Sequence, residues 1–273
     1  MVVDFWVNAL SKEAAAAFLG KSGFGSVEGF FGVDVKEGMM TPPDLVAEMD
    51  RVGVDRGVLS TSLSKVDDDT LAFAVEQRHR LYLAASVDRP SRPRQQSMAV
   101  RRRAAEGTVD LVRVSPLVDQ YPLNHALYYP VYATCEELGL PVSINVGIPG
   151  PRVRSRCQDP VLLEDVLIDF PDLVVIGAHM GHPYEELLIE YMLKWPNLYL
   201  SNSAFLAKYM HASLIKFMGS RRGRGRVLFA SDHPFLPMEK ALEAARSLAL
   251  DDGPMADFLG GTAERLLEKR PRG

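Results

Sequence analysis

Short runs of β-branched and aliphatic residues alternate along almost the whole chain with longer stretches whose apolar residues recur at helical spacing. The runs begin at Val2-Val3-Asp4-Phe5-Trp6-Val7 and return at 57–61, 81–87, 110–115, 141–146, 173–178, 198–203 and 226–231, eight in all. Between them lie stripes such as Leu71-Ala74-Val75, Tyr129-Ala133-Leu138, Val161-Leu162-Val166 and Leu187-Leu188-Tyr191-Met192, which read as amphipathic helices. A helix between consecutive strands returns the chain to the same end of the sheet, so the strands pair in parallel. Eight strands in this rhythm predict an α/β fold, a closed (β/α)8 TIM barrel. An additional C-terminal helix is expected to close it, the last helical stretches being 238–249 and 254–268.

Local signals punctuate this pattern. Thr41 stands as N-cap before Pro42-Pro43, and Gly53 ends the same helix. The stretch between Gly20 and Gly32 reads as a glycine-rich loop. Gly147-Ile148-Pro149-Gly150-Pro151 follows a strand and is expected to be a loop on the functional rim of the barrel.

The length of 273 residues fits one barrel of about 250 residues, so residues 1–273 are expected to form a single domain. With 47% hydrophobic and 24% charged residues, the chain is neither a disordered tail nor a collagen-like or disulfide-stapled protein. A net charge of −4 provides no field for nucleic acid, and Arg101-Arg102-Arg103 and Arg221-Arg222-Gly223-Arg224 are too short to make basic tails. Cys135 and Cys157 support no disulfide framework or zinc finger, which predicts a reduced, cytoplasmic protein. No apolar run approaches the ~18 residues of a membrane span. The expected partner is a small-molecule substrate, with no nucleic acid and no membrane; homo-oligomerisation stays open.

In such a barrel the chemistry belongs at the carboxyl ends of the strands. Period-two geometry puts Asp4, Trp6 and Asn8 on one face of the first strand. The later strand ends carry Arg113, Ser115, Asn145, His179, Asn202 and Asp232. Burying so many polar groups is costly unless they are paired or used. Arg113 has the fork of a carboxylate clamp, or it is the ion-pair partner of Asp4 or Asp232. Trp6 suits a wall or plug, and Asn8, Asn145 and Asn202 suit orienting donors. Asp232 is either an acid/base group or the cap of the next helix, and His179 is either its partner or a core histidine.

These residues sit in blocks that resemble the amidohydrolase superfamily, in the branch that includes aminocarboxymuconate-semialdehyde decarboxylase. The blocks are Val3-Asp4, Met49-Asp50-Arg51-Val52-Gly53-Val54, Glu137-Leu138-Gly139-Leu140-Pro141-Val142, Gly177-Ala178-His179-Met180-Gly181 and Ala230-Ser231-Asp232-His233-Pro234-Phe235. Their order spans the first strand to the last. The resemblance implies a His-x-His pair and a further histidine holding a divalent metal, but those positions look like Trp6, Asn8 and Asn145. Only His179 and Asp232 match. Indole nitrogen has no free lone pair and an Asn carbonyl is a weak ligand, so no metal and no other cofactor is expected. The resemblance then implies a metal-independent hydrolase or decarboxylase of a small carboxylated or lactone-like substrate, with Asp232 and His179 as catalytic groups and Arg113, Trp6, Asn8, Asn145 and Asn202 binding substrate. Two rivals remain: a degenerate barrel that binds a ligand or partner without chemistry, and a metallohydrolase with substituted ligands.

Overall fold

A computed structural model of the protein describes residues 1–9, 11–32, 34, 40–66 and 68–268. Eight strands run in sequence order around one parallel sheet: β1 (Val3–Val7), β2 (Arg56–Ser62), β3 (Leu81–Ser86), β4 (Leu111–Val114), β5 (Val142–Asn145), β6 (Val175–Ala178), β7 (Leu198–Ser201) and β8 (Val227–Leu228). The seam between first and last strands is closed by backbone bonds. Phe5 N donates to Phe229 O (2.9 Å), Asp232 N to Trp6 O (2.9 Å) and Asn8 N to His233 O (3.0 Å). The predicted TIM barrel is therefore the fold.

In chain order the helices are α1 (Lys12–Leu19), α2 (Val27–Phe31), α3 (Pro42–Val52), α4 (Asp68–Glu76), α5 (Pro93–Ala105), α6 (Pro116–Asp119) and α7 (Tyr129–Glu137). They continue with α8 (Leu163–Asp169), α9 (Glu185–Lys194), α10 (Ala212–Met218), α11 (Met238–Arg246), α12 (Asp252–Ala256) and α13 (Thr262–Glu268). The signals at α3 act as read: Thr41 and Asp44 form a reciprocal capping box, Pro42 and Pro43 open the helix, and Gly53 ends it at φ 78°. The predicted glycine-rich loop begins after α1 ends at Leu19, but it holds a 3-10 turn at Phe24–Ser26 that leads directly into α2. No described helix is long and apolar enough to cross a membrane.

Side chains segregate by strand parity. Leu59, Leu83, Val112, Ile144, Val175 and Leu200 pack outward against the helices. Val58, Tyr82, Leu111, Ile176, Ala178 and Leu228 fill the interior, the alternation a barrel imposes. Ala263 and Leu267 of α13 belong to that interior cluster. The last helix therefore closes the barrel, as expected, by plugging one end from inside.

Strand β1 departs from simple alternation. Asp4 pairs with Gly57 but Val7 with Leu59, so β1 carries one extra residue, a β-bulge. Val3, Phe5 and Trp6 all join the interior cluster. The expected single face of Asp4, Trp6 and Asn8 is thereby corrected: the bulge turns Trp6 inward beside Phe5.

Candidate active site

The ends of β1, β4, β5, β6 and β8 meet at a cavity of about 190 Å³. Its polar lining is Asn8, Ser115, Asn145, His179 and Asp232. Trp6 forms an aromatic wall beside them. Loops and short helices supply the apolar remainder: Phe18, Val27 and Phe31 from α1 and α2, Leu117 and Val118 from α6, then Ile148, Phe205 and Phe235. The Gly147–Pro151 loop does lie on this rim, as its composition suggests.

The backbone is strained where the site is made. His179, Met180, Ala204 and Asp232 all have positive φ, between 57° and 63°. Such conformations cost free energy for residues with a Cβ and gather where function requires them. They follow β6, β7 and β8 and turn their side chains at the barrel mouth.

Asp232 Oδ1 accepts a hydrogen bond from Asn8 Nδ2 (3.0 Å), whose other N–H goes to His233 O (2.8 Å). Asn8 Oδ1 accepts from Trp6 Nε1 (3.3 Å). The amide orientation follows from chemistry, since the indole can only donate and the two oxygens on the other side accept. Asp232 is 8% exposed, and burial raises its carboxyl to about 7, against the opposing pull of Asn8 and Arg113. Asp232 does not cap a helix: α11 begins at Met238 with Pro237 at its N-cap.

His179 is a wall residue held at both nitrogens. Ser203 O can only accept, so Nδ1 carries the proton for that 3.0 Å bond. Nε2 then keeps its lone pair and accepts from Asn145 Nδ2 (2.8 Å). Burial lowers the imidazole to about 4, with the nearby Arg113 cation acting in the same direction. At neutral pH the ring is uncharged.

Arg113 is 0% exposed and does not line the cavity. Its Nη2 donates to Phe5 O (2.8 Å) and its Cζ stacks 3.6 Å from the centre of the Trp6 ring. Burial lowers it to about 9. It is therefore screened from any substrate by the indole, and the substrate-clamp placement expected for it is not what the fold produces. Asp4 lies in the same buried set, its Oδ1 accepting from Trp6 N (3.1 Å) and Ser231 N (2.9 Å), with burial raising it to about 6.

Asn202 is also outside the cavity. Leu198 and Leu200 face outward, and parity sends Asn202 the same way; it donates to Phe205 O (3.0 Å) and accepts from Ala230 N (2.9 Å). The residue just past β7 that does bear on the site is Ser203, which holds His179 from behind the cavity wall and which sequence reading missed. Counting by two from Tyr199 through Ser201 would have found it. No comparable signal marked Phe18, Val27 and Phe31 as walls.

A divalent metal needs several free lone pairs. Here Trp6 Nε1 donates, Asn8 Nδ2 donates to Asp232, and the His179 Nε2 lone pair is occupied by Asn145. The donor set does not fit such an ion. Among the described residues no group of three His, Cys, Asp or Glu is placed to hold one.

Residues 35–269 match the family model described as amidohydrolase. Similar solved structures include an uncharacterized TIM-barrel protein from Bordetella bronchiseptica, 24% identical with a TM-score of 0.78 over 98% of each chain. A 5-carboxyvanillate decarboxylase from Novosphingobium aromaticivorans, complexed with manganese and 4-hydroxy-3-methoxy-5-nitrobenzoic acid, is 16% identical with a TM-score of 0.72, covering 98% of this chain and 96% of that one. The 2,6-dihydroxybenzoate decarboxylase from Rhizobium is 15% identical with a TM-score of 0.72 over 98% of each chain. At these identities the likeness is one of fold. Comparison with curated proteins gave no match.

Proposed function

From the premise that this chain belongs to the amidohydrolase family and is an enzyme of the hydrolase or carboxy-lyase type, we propose that it hydrolyses or decarboxylates a small planar molecule, carboxylated or lactone-like, without a metal. The observation that carries this reading is the Asp232 carboxyl, raised to about 7, in the polar lining of an otherwise apolar cavity. A general acid or base works best with a pKa near the operating pH. An apolar cavity of about 150 Å³ holds one benzene ring, so 190 Å³ suits a single substituted ring.

Asp232 is the acid/base group in this proposal. In hydrolysis its ionised form takes a proton from water as the water adds to the lactone carbonyl carbon, and returns that proton to the ring oxygen as the acyl C–O bond breaks. In decarboxylation its protonated form delivers a proton to the carbon that loses carbon dioxide. The second Asn145 N–H serves as donor to substrate oxygen, and the Asn145 amide is held in place by the Ser115 hydroxyl, which donates to its Oδ1 (3.4 Å), and by neutral His179. Asn8 orients Asp232, and Trp6 offers its face to the ring. With Arg113 covered, a substrate carboxylate is bound by neutral donors and by protonated Asp232.

The binding-only reading would be favoured by an indole that blocks the mouth. Trp6 instead forms one wall of a cavity that both Asp232 and His179 line, which supports catalysis. The manganese in one similar structure favours a metal-dependent reading, and the donor set at this cavity speaks against it.

The pH profile of turnover on chelator-treated protein tests the proposal and separates its two reactions. With carboxylated and lactone ring substrates, hydrolysis is expected to lose activity below about pH 7, because the base must be ionised, and decarboxylation above it, because the acid must be protonated. Asp232→Asn is expected to lower turnover about 10²-fold or more. Activity abolished by chelator and restored by manganese or zinc, or unaffected by Asp232→Asn, would overturn the reading.

A further inference from the structure

Arg113 is fully buried, and among the described residues it has no ion pair within hydrogen-bonding distance and its Nε and Nη1 have no partner. Desolvating a guanidinium in this way is costly, and the strand beneath the site keeps it there. What it touches is the inner face of Trp6, at 3.6 Å, a cation–π stack of close geometry. The indole's N–H then donates to Asn8 Oδ1 (3.3 Å), and Asn8 Nδ2 donates to Asp232 Oδ1 (3.0 Å). Each link has one chemically allowed direction. The indole is donor-only, the Asn8 oxygen is acceptor-only, and both Asn8 N–H groups are engaged, by Asp232 and His233 O.

We propose that Arg113 is a positioning residue for the reaction assigned to this site, acting through Trp6 and Asn8 to fix the Asp232 carboxyl at the cavity. The proposal rests on the reading of Asp232 as the acid/base group. The guanidinium plane sets the tilt of the indole, the indole sets where its N–H points, and that hydrogen bond holds the oxygen end of the Asn8 amide while His233 O and Asp232 hold its nitrogen end. Without the plane below it, Trp6 is free to rock toward His179, whose ring lies 5.2 Å away and is tilted by 34°. Rocking breaks the indole bond and leaves the Asn8 amide held only through Nδ2, so it can pivot about its bond to His233 O and shift the donor that orients Asp232, while the Asp232 backbone stays in place. The stacked face is what transmits the effect.

The test uses uniformly 15N-labelled protein. The chain has two tryptophans, so Trp6 gives one of two indole N–H resonances, identified with Trp195→Phe. Arg113→Met is expected to shift the Trp6 indole resonance and also the side-chain amide pair of Asn8, while that of Asn197, remote on the surface, stays. On turnover, Arg113→Met is expected to lower kcat about tenfold or more with KM nearly unchanged, the signature of a misplaced group. Arg113→Lys keeps charge but not plane and is not expected to restore kcat. In a Trp6→Phe background, Arg113→Met should cost little more, because both changes cut the same chain. Should Arg113→Met not fold, Trp6→Phe alone, which keeps a ring on the guanidinium and removes the N–H, is expected to shift the Asn8 amide pair and lower kcat. Unmoved Asn8 resonances, additive losses in the double variant, or rescue by lysine would overturn the relay. Asp232→Asn with unchanged turnover would instead overturn the functional reading, and the resonances would still decide the relay.

Discussion

Asp232 shows what the site costs the fold. Its ordinary carboxyl value is 3.8 and burial raises it to about 7. Below about pH 4 both folded and unfolded chains hold this proton, so it contributes no penalty. As pH rises from there toward 7, the unfolded chain ionises freely while the folded one must keep the proton or bury a charge. Stability is lost across that window, by about 1.4 kcal/mol for each pH unit crossed. Asp232→Asn keeps the Asn8 contact and removes the titration. It is expected to raise Tm at pH 8 by several degrees and to change it little at pH 4.5, as followed by thermal unfolding at both pH values. An equal change in Tm at the two values would assign the effect to packing. Trp6→His combined with Asn8→His is not expected to bind zinc stoichiometrically after dialysis against a weak chelator, because Asn145 still has only an amide. Adding Asn145→His should be required. Asn8, Asn145 and Asp232 were legible as cavity residues because each stands at a strand end with interior parity; His179 follows interior Ala178, so alternation alone would send it outward, and its positive φ of 61° turns it to the cavity. Arg113 was legible as inward-facing but not as covered, since nothing in a sequence states how far an indole extends over its neighbour.

The elements that sequence reading found are those with a periodic signal of their own. All eight strands appear where β-branched runs predict them, and α3 begins and ends at its caps. The bulge in β1 was not legible, because one extra residue leaves composition unchanged and shows only against a partner strand. Nor was the wall built from α1 and α2. Its small apolar cluster, Ala15, Val27 and Phe235 with Phe18 and Phe31, is separate from the main core, so neither helix repeats long enough to signal itself. This wall seats on the Gly147–Pro151 rim through close backbone approach. Arg152 N donates to Gly23 O (3.2 Å), and a Cβ on Gly23 would meet Arg152 O at 2.6 Å. Gly23 also has φ 85°, a conformation costing about 1–2 kcal/mol for other residues. Gly23→Ala is expected to lower Tm and to weaken binding of a ring probe such as benzoate several-fold by calorimetry. Unchanged affinity would remove α1 and α2 from the binding site.

At the scale of the whole molecule, one end of the barrel is plugged and the other is equipped for chemistry. Leu267, 4% exposed, enters the interior cluster from α13 beside Tyr82 and Leu228. Leu267→Ala is expected to destabilise the protein by about 2–5 kcal/mol, as for other buried leucines, measured by urea unfolding, with KM unchanged because the cavity lies at the opposite end. A loss below about 1 kcal/mol would mean that α13 only rests on the barrel.

The seam that joins β8 to β1 has a consequence for how the protein is born. Asn8 and Asp232 are 224 residues apart, and the first strand leaves the ribosome long before its partner exists. Until β8 emerges, Trp6 and Asn8 lie on an unpaired edge, and an unpaired strand edge of a nascent chain invites association. Chains halted before residue 226 are therefore expected to be held by chaperones or to aggregate. The proposed acid/base site comes into being only with the last stretch of synthesis, so no fragment of a nascent chain is expected to act on substrate ahead of the finished barrel.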